Sequence, residues 1–161
     1  MQIELIIALI GILFSAYFSS AELSFTAANP VKIRIWADNG KKSAIRTLQY
    51  LENREDILTM ILVGNNLANI LATSYATLYF LTLGLFSEIQ IILIISLVIL
   101  IFGELVPKSI VREMPNQAVI FFVLTIRWIR IFLFPVTWPV QKMIQGILFL
   151  AKSQPEEIRA V

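Results

Sequence analysis

The third long apolar stretch of the sequence contains Phe102-Gly103-Glu104-Leu105-Val106-Pro107-Lys108-Ser109. Pro107 has no N–H to offer the carbonyl four residues earlier and its ring crowds that carbonyl, so the backbone oxygen of Gly103 is predicted to be free. Inside a membrane, an unpaired acceptor is tolerated only within protein or beside a polar cavity. The stretch therefore fits two interpretations: a cation site beside Glu104, or a proline-kinked helix whose glutamate reaches the interface.

The composition indicates an all-α integral membrane protein. Hydrophobic residues make up 58% of the 161 residues, against roughly 45–50% in soluble domains. Three segments, at roughly 5–28, 57–83 and 89–106, are long enough to cross a hydrocarbon core about 30 Å thick, and the third is expected to continue to about 110. The first segment contains Glu22 and lacks a basic n-region and an A-x-A site, so we expect a retained helix. The whole chain, 1–161, is predicted to form a single transmembrane domain.

The sequence contains neither cysteine nor histidine, which restricts the chemistry. Disulfides, thiolate zinc sites, haem ligation and histidine-based catalysis are excluded. A carboxylate-based intramembrane hydrolase would have only Glu22 and Glu104 as acids, so we do not expect an enzyme.

The basic residues predict the orientation. None precedes Lys32, none lies in the turn at 84–88, and all fall either in the 29–56 connector or from Lys108 onward. By the positive-inside rule, the N-terminus lies outside, and the connector and the C-terminal tail lie in the cytoplasm. We therefore expect a multi-pass protein of the cell's inner (plasma) membrane.

Polar residues of the three segments lie at a similar depth. At 1.5 Å per helical residue, Ser19 lies about 21 Å from the outer end of its segment, Asn69 and Asn65 about 21 and 27 Å, and Gly103–Glu104 about 21–23 Å. The sequence therefore predicts one polar layer, nearer the cytoplasm, to which all three segments contribute.

The serines of this layer have two interpretations. Ser15 and Ser19 are four residues apart and share a helix face, which Glu22 extends towards the cytoplasm. Serine in a membrane helix also bonds to its own backbone or allows close packing, so these residues alone do not establish a ligand site.

The second segment carries two motifs on neighbouring faces. Asn65, Asn66 and Asn69 are hard to explain as helix–helix contacts alone, because an unpaired amide in lipid costs several kcal/mol. A stripe of small residues indicates a helix–helix or dimer contact: Gly64, Ala68, Ala72 and Ala76.

Both cytoplasmic regions are expected to be helical. In the connector, Asn29-Pro30 ends the first helix, and a juxtamembrane hairpin at 29–56 is broken at Asp38–Gly40. The run from about 116 to 151 is interrupted by charges and prolines, which favours a belt of short helices at the cytoplasmic interface. A fourth, kinked span is the alternative there.

Three motifs together resemble the transmembrane domain of the CorC/cyclin M (CNNM) magnesium transporters. They are Phe18-Ser19-Ser20-Ala21-Glu22 with Asn29-Pro30, Gly64-Asn65-Asn66-Leu67-Ala68-Asn69, and Gly103-Glu104-Leu105-Val106-Pro107-Lys108-Ser109. The resemblance covers nearly the whole chain. It implies a homodimer of three-helix protomers, each with a cytoplasmic helical belt, that exports Mg2+ in exchange for Na+.

The resemblance also implies the ion site. The Mg2+ ligands would be the side chains of Ser15, Ser19, Asn65 and Asn69 and the backbone of Gly103, with Glu104 close by. Candidates for the coupling ion or its vestibule are Glu22, Glu104 and Asn66; position 22 is Asn in some relatives.

The resemblance further implies partners. Family members usually continue into cytosolic CBS modules that bind nucleotide, and the 161 residues here contain none. The expected partners are a second copy, the lipid bilayer and those CBS modules, and no nucleic acid. The alternative function is a non-transporting, Mg2+-sensing membrane anchor for cytosolic regulatory domains.

Overall fold

Three long apolar helical spans dominate the structure, a computed structural model that describes residues 2–84 and 86–152; most side chains after residue 131 lie outside that description. The spans are α1 (Gln2–Ala27), a later helix (Arg54–Leu83) and a composite third span (Glu88–Glu113). Within the described residues only these helices are long and apolar enough to cross a membrane, and strands are absent. The all-helical class and the three predicted spans are thus confirmed.

Two short helices connect the first two spans. They are α2 (Pro30–Asp38) and α3 (Lys42–Glu52), and the second span is α4. The Asn29 side chain accepts hydrogen bonds from the N–H groups of Val31 and Lys32, and Pro30 occupies the first turn of α2, where its missing N–H costs nothing. Between α2 and α3 the chain turns at Gly40, whose φ of +83° suits glycine.

The small residues of α4 pack against α1. A Cβ on Gly11 of α1 would lie 2.8 Å from the backbone nitrogen of Ala72, and the ring of Phe18 occupies the space where Gly64 lacks a side chain. Ala68 and Ala76 are also buried. The stripe is therefore a helix–helix contact within the chain, which decides between the two alternatives that its sequence left open.

Two apolar clusters stabilise the bundle. One cluster joins α1, α4 and the first part of the third span through Ala8, Ala72, Ala76, Ile91, Ile95 and Ile99. The other, larger cluster includes Phe18, Phe25, Ile61, Val119 and Ile126. Along α1 and α4, Ser15 and Asn69 lie between residues of the two clusters, whereas Ser19 and Asn65 lie between residues of the larger one.

The third span changes its helical geometry before Pro107. It consists of α5 (Glu88–Val98), a π-helical segment (Ile99–Leu105) and α6 (Val106–Glu113). The N–H of Val106 donates to the carbonyl of Ile101, five residues earlier, and Pro107 falls in the first turn of α6, where a proline is tolerated. The proline therefore coincides with a widened turn in a continuous helical span.

The C-terminal region differs from its prediction. Instead of several short helices it forms one helix, α7 (Pro115–Lys152), with Pro135 and Pro139 inside it. These prolines are four residues apart, share one face and are exposed, so the hydrogen bonds they remove lie on the outer side, where a helix can bend without ending. The prediction of short helices was wrong; an interfacial position for α7 stays a prediction, and Arg159 of the basic tail lies outside the described residues.

Candidate ion-binding site

Two fully buried serines place hydroxyl groups at the centre of the bundle. Ser15 Oγ donates a hydrogen bond to Asn65 Oδ1 at 3.1 Å and lies 3.5 Å from the carbonyl oxygen of Gly103. Ser15 therefore brings α1, α4 and the π-helical segment together. Its single hydroxyl proton can serve only one of the two acceptors well, so one of these two oxygens is left weakly engaged.

The close approach of Ser15 depends on Gly103. A Cβ at position 103 would lie 2.8 Å from Ser15 Oγ, closer than side chains approach one another, and 3.3 Å from Ser15 Cβ, which is a tight contact, so the Ser15 side chain would have to shift. Gly103 is buried in the π-helical segment, where the widened turn and the missing side chain together expose its backbone to α1. The glycine is therefore needed for the contact itself.

Two buried oxygens of the predicted ligand residues have no hydrogen-bond partner within the described part of the chain: Ser19 Oγ, one helical turn from Ser15, and Asn69 Oδ1. The other side of the Asn69 amide points towards Glu104, with Nδ2 3.5 Å from Oε1. By contrast, the equally buried Ser24 donates to the Ala21 carbonyl at 2.8 Å. An unpaired buried polar group costs about 1–3 kcal/mol, so the polar layer is under-satisfied without a further binding partner.

The charge of the layer comes from a single carboxylate. Among the described residues no group of three or more Asp, Glu, His or Cys side chains is placed to hold a metal. Glu104 is half-buried, and the sequence has no lysine or arginine between Arg54 and Lys108. The layer therefore combines neutral oxygens with one acidic group, and no basic residue of α4 or α5 opposes a cation there.

The structure places two other candidates beside the layer. Glu22 forms an ion pair with Lys108, with 3.0 Å between Oε2 and Nζ, which connects α1 to α6. Asn66 is exposed and lines a groove of about 420 Å³ with Asn69, Ile70, Thr73 and Ser74. Neither residue hydrogen-bonds to Ser15, Asn65 or Gly103 in the described structure.

A second groove opens from the layer along α4 and α5. Its volume is about 340 Å³, and its lining consists of Asn69, Thr73, Ser96, Ile99, Leu100 and Glu104. Thr73 and Ser96 were absent from the sequence prediction. Thr73 could have been found by extending the Asn65–Asn69 spacing by four more residues, whereas nothing in the sequence pairs it with Ser96.

These observations define a helical membrane domain with an oxygen-rich polar layer between its three spans. The chain belongs to the family described as the cyclin M transmembrane N-terminal domain, whose model matches residues 5–160. The resemblance seen in the three sequence motifs is confirmed.

Relatives with curated descriptions agree with this assignment. The chain is 30% identical over 127 residues to the UPF0053 inner membrane protein YfjD of Escherichia coli, covering 77% of this chain and 29% of that protein. It is 32% identical over 139 residues to a UPF0053 protein of Haemophilus influenzae, covering 83% and 32%. A chloroplastic DUF21 domain-containing protein of Arabidopsis thaliana is 29% identical over 140 residues, with 83% and 20% covered. The chain thus spans about a third or less of the length of these relatives.

Proposed function

We propose that this domain binds Mg2+ in the polar layer and carries it across the membrane. The observation that supports the proposal most directly is the pair of buried oxygens without a partner, Ser19 Oγ and Asn69 Oδ1. A bundle that buries unpaired oxygens loses free energy unless a cation or water engages them. Hard oxygen ligands are what Mg2+ prefers.

The spacing of the oxygens suits an octahedral ion. Mg2+ binds oxygens at about 2.0–2.1 Å, so neighbouring ligands of an octahedron lie about 2.9 Å apart. Ser15 Oγ and Asn65 Oδ1 are 3.1 Å apart, and Ser15 Oγ and the Gly103 carbonyl 3.5 Å apart. Small adjustments of the Ser15 and Asn65 side chains would bring these three oxygens to one ion.

A mostly neutral ligand set favours transport over permanent retention. Hydroxyl, amide and carbonyl oxygens replace the ion's waters without the attraction of several carboxylates, so the ion can leave. The single carboxylate, Glu104, is the group whose charge or partner can change between states, and we assign it the coupling to Na+. Glu22, held by Lys108, stays a vestibule candidate.

The proposal includes the direction of transport and the membrane in which the protein lies. The basic residues of the connector and the tail favour a cytoplasmic location for both, so export moves Mg2+ from their side of the membrane to the side of the N-terminus. The description of YfjD as an inner membrane protein supports the same membrane for this chain. We propose a homodimer within a longer protein that carries cytosolic CBS modules.

Flux measurements test the transport proposal. Liposomes reconstituted with the domain and loaded with a Mg2+ indicator should show Mg2+ movement that Asn69→Ala reduces severely. Ser24→Ala is the matched control, because its buried hydroxyl is paired within α1. Mg2+ binding without flux would contradict transport and favour the Mg2+-sensing membrane anchor.

A separate measurement tests the coupling. Glu104→Gln keeps the size of the side chain and removes its charge, so Mg2+ export at a fixed Na+ gradient should fall and lose its Na+ dependence. Unchanged export with unchanged Na+ dependence would remove Glu104 from the coupling role.

A further inference from the structure

We propose that the groove lined by Thr73 and Ser96 is the aqueous outlet through which the cation passes between the polar layer and the outer surface. This inference rests on the proposed function and extends it to residues outside the predicted ligand set. The groove is continuous with the layer because Asn69 and Glu104 line its inner end.

The hydroxyls of Thr73 and Ser96 lack internal partners. Two other threonines of α4, Thr59 and Thr82, donate to carbonyls of their own helix at 3.0 and 2.7 Å, whereas Thr77 makes no such bond in the described part of the chain. Within the described residues, the half-buried Thr73 and the exposed Ser96 make none either, and these two line the groove. A polar group with no partner at membrane depth is costly in hydrocarbon, so water or an ion is expected at this position.

The two hydroxyls lie at similar depth on two neighbouring helices, α4 and α5. At 1.5 Å per residue, Thr73 lies about 15 Å from the outer end of α4 at Leu83, and Ser96 about 12 Å from the start of α5 at Glu88. Thr73 also lies four residues, or about 6 Å, outward of Asn69 on the same face. A hydrated cation leaving Asn69 would meet this pair next.

The charges along this route favour a cation. From the Glu104 carboxylate to Glu88 at the start of α5, the walls carry acidic and neutral side chains, and the sequence has no basic residue between Arg54 and Lys108. Asn69 Oδ1, one of the two unpaired oxygens of the layer, belongs to a residue that also lines the groove, which gives the ion a ligand at the inner end.

The natural absence of cysteine allows a direct test of water access. Single variants Thr73→Cys and Ser96→Cys, on different helices, are reconstituted and treated from outside with a positively charged, membrane-impermeant methanethiosulfonate reagent. Leu97→Cys is the matched control, because Leu97 adjoins Ser96 and is 56% exposed but does not line the groove. Both groove thiols should react about tenfold faster or more than the control, since a thiol forms reactive thiolate only in contact with water. Added Mg2+ should slow the reaction.

Three results would overturn the proposed outlet. In the first two, the groove thiols react with the methanethiosulfonate reagent no faster than the thiol of Leu97→Cys, or react only with a lipid-soluble maleimide. In the third result, the groove thiols cross-link to a second copy of the chain and are thereby shielded from the reagent. Mg2+-dependent thermal stabilisation, measured on the same variants, separates this inference from the proposed function. Stabilisation without water access contradicts the outlet alone. Water access without any effect of Mg2+ supports an aqueous groove while contradicting the proposed cargo.

Discussion

Helix α4 presents two neighbouring faces with opposite properties. One face carries Gly64, Ala68, Ala72 and Ala76, all buried and packed against α1. The other carries Asn65, Asn69 and Thr73, which meet Ser15, Glu104 and an open groove. The residues of the first face are all packed against α1 and have no side-chain polar group to pair, whereas the second face holds an amide oxygen without a partner.

The difference shows that one face of α4 holds the bundle together while the neighbouring face supplies polar groups to the site. Small residues let two backbones approach, so that dispersion contacts hold α1 against α4 without polar groups. That rigid contact fixes the position of the serines of α1 beside the asparagines of α4. The polar face can then remain under-satisfied, because the stability of the bundle comes from the face next to it.

The largest effect should follow from breaking the packed face. A Cβ on Gly11 would lie 2.8 Å from Ala72 N and 3.0 Å from Ala68 O, both backbone atoms that cannot turn aside. Gly11→Leu should therefore reduce the free energy of unfolding by about 3 kcal/mol or more. Denaturation in detergent measures the loss, and Leu13→Val on the exposed face of α1 is the control. A Gly11→Leu protein as stable as the wild type would contradict this account of the contact.

A smaller, more selective effect is expected where α1 meets the π-helical segment. Gly103→Ala places a Cβ against side-chain atoms of Ser15, which can shift by a few tenths of an ångström, so the fold should survive. Displacing a ligand oxygen should weaken Mg2+ binding about tenfold, or about 1.4 kcal/mol. Titration calorimetry measures the affinity.

The double variant Gly103→Ala with Ser15→Ala provides the control for this prediction. Removing the Ser15 hydroxyl relieves the crowding, so the thermal stability should recover while Mg2+ affinity stays low. Wild-type affinity in Gly103→Ala would show that the Ser15–Gly103 contact is not part of the site.

The smallest effect should come from the ion pair on α1 and α6. Glu22 and Lys108 are both partly exposed, with 3.0 Å between their charged atoms. Such pairs contribute about 0–1 kcal/mol, so Glu22→Gln should change the free energy of unfolding by no more than that. A double-mutant cycle with Lys108→Met measures the coupling, and a value well above this range would indicate that the pair holds α1 and α6 in one state.

The sequence predicted the three spans well because each is a long apolar run. It assigned Ser19, Asn69 and Gly103 to one depth from helical rise alone, whereas the contacts in the structure join Ser15 to Asn65 and Gly103. The π-helical segment could not be read from Pro107, since a proline indicates a lost hydrogen bond without indicating how the preceding turn adjusts. The continuity of α7 through Pro135 and Pro139 also escaped prediction, because local propensity favours a break that the structure replaces with one helix. The pairing of Thr73 with Ser96 depends on which helices are neighbours, and one sequence does not contain that information.

The most direct test of the polar layer compares two buried serines of α1. Ser19 has an unpaired hydroxyl and Ser24 a paired one. Thermal unfolding with and without Mg2+ should show that Ser19→Ala is more stable than the wild type without the ion, because an unsatisfied group has been removed, and that it loses the stabilisation by Mg2+. Ser24→Ala should be slightly less stable and keep the full Mg2+ effect. A Ser19→Ala protein that retains the full Mg2+ stabilisation, or is destabilised without the ion, would contradict the assignment of this layer as the cation site.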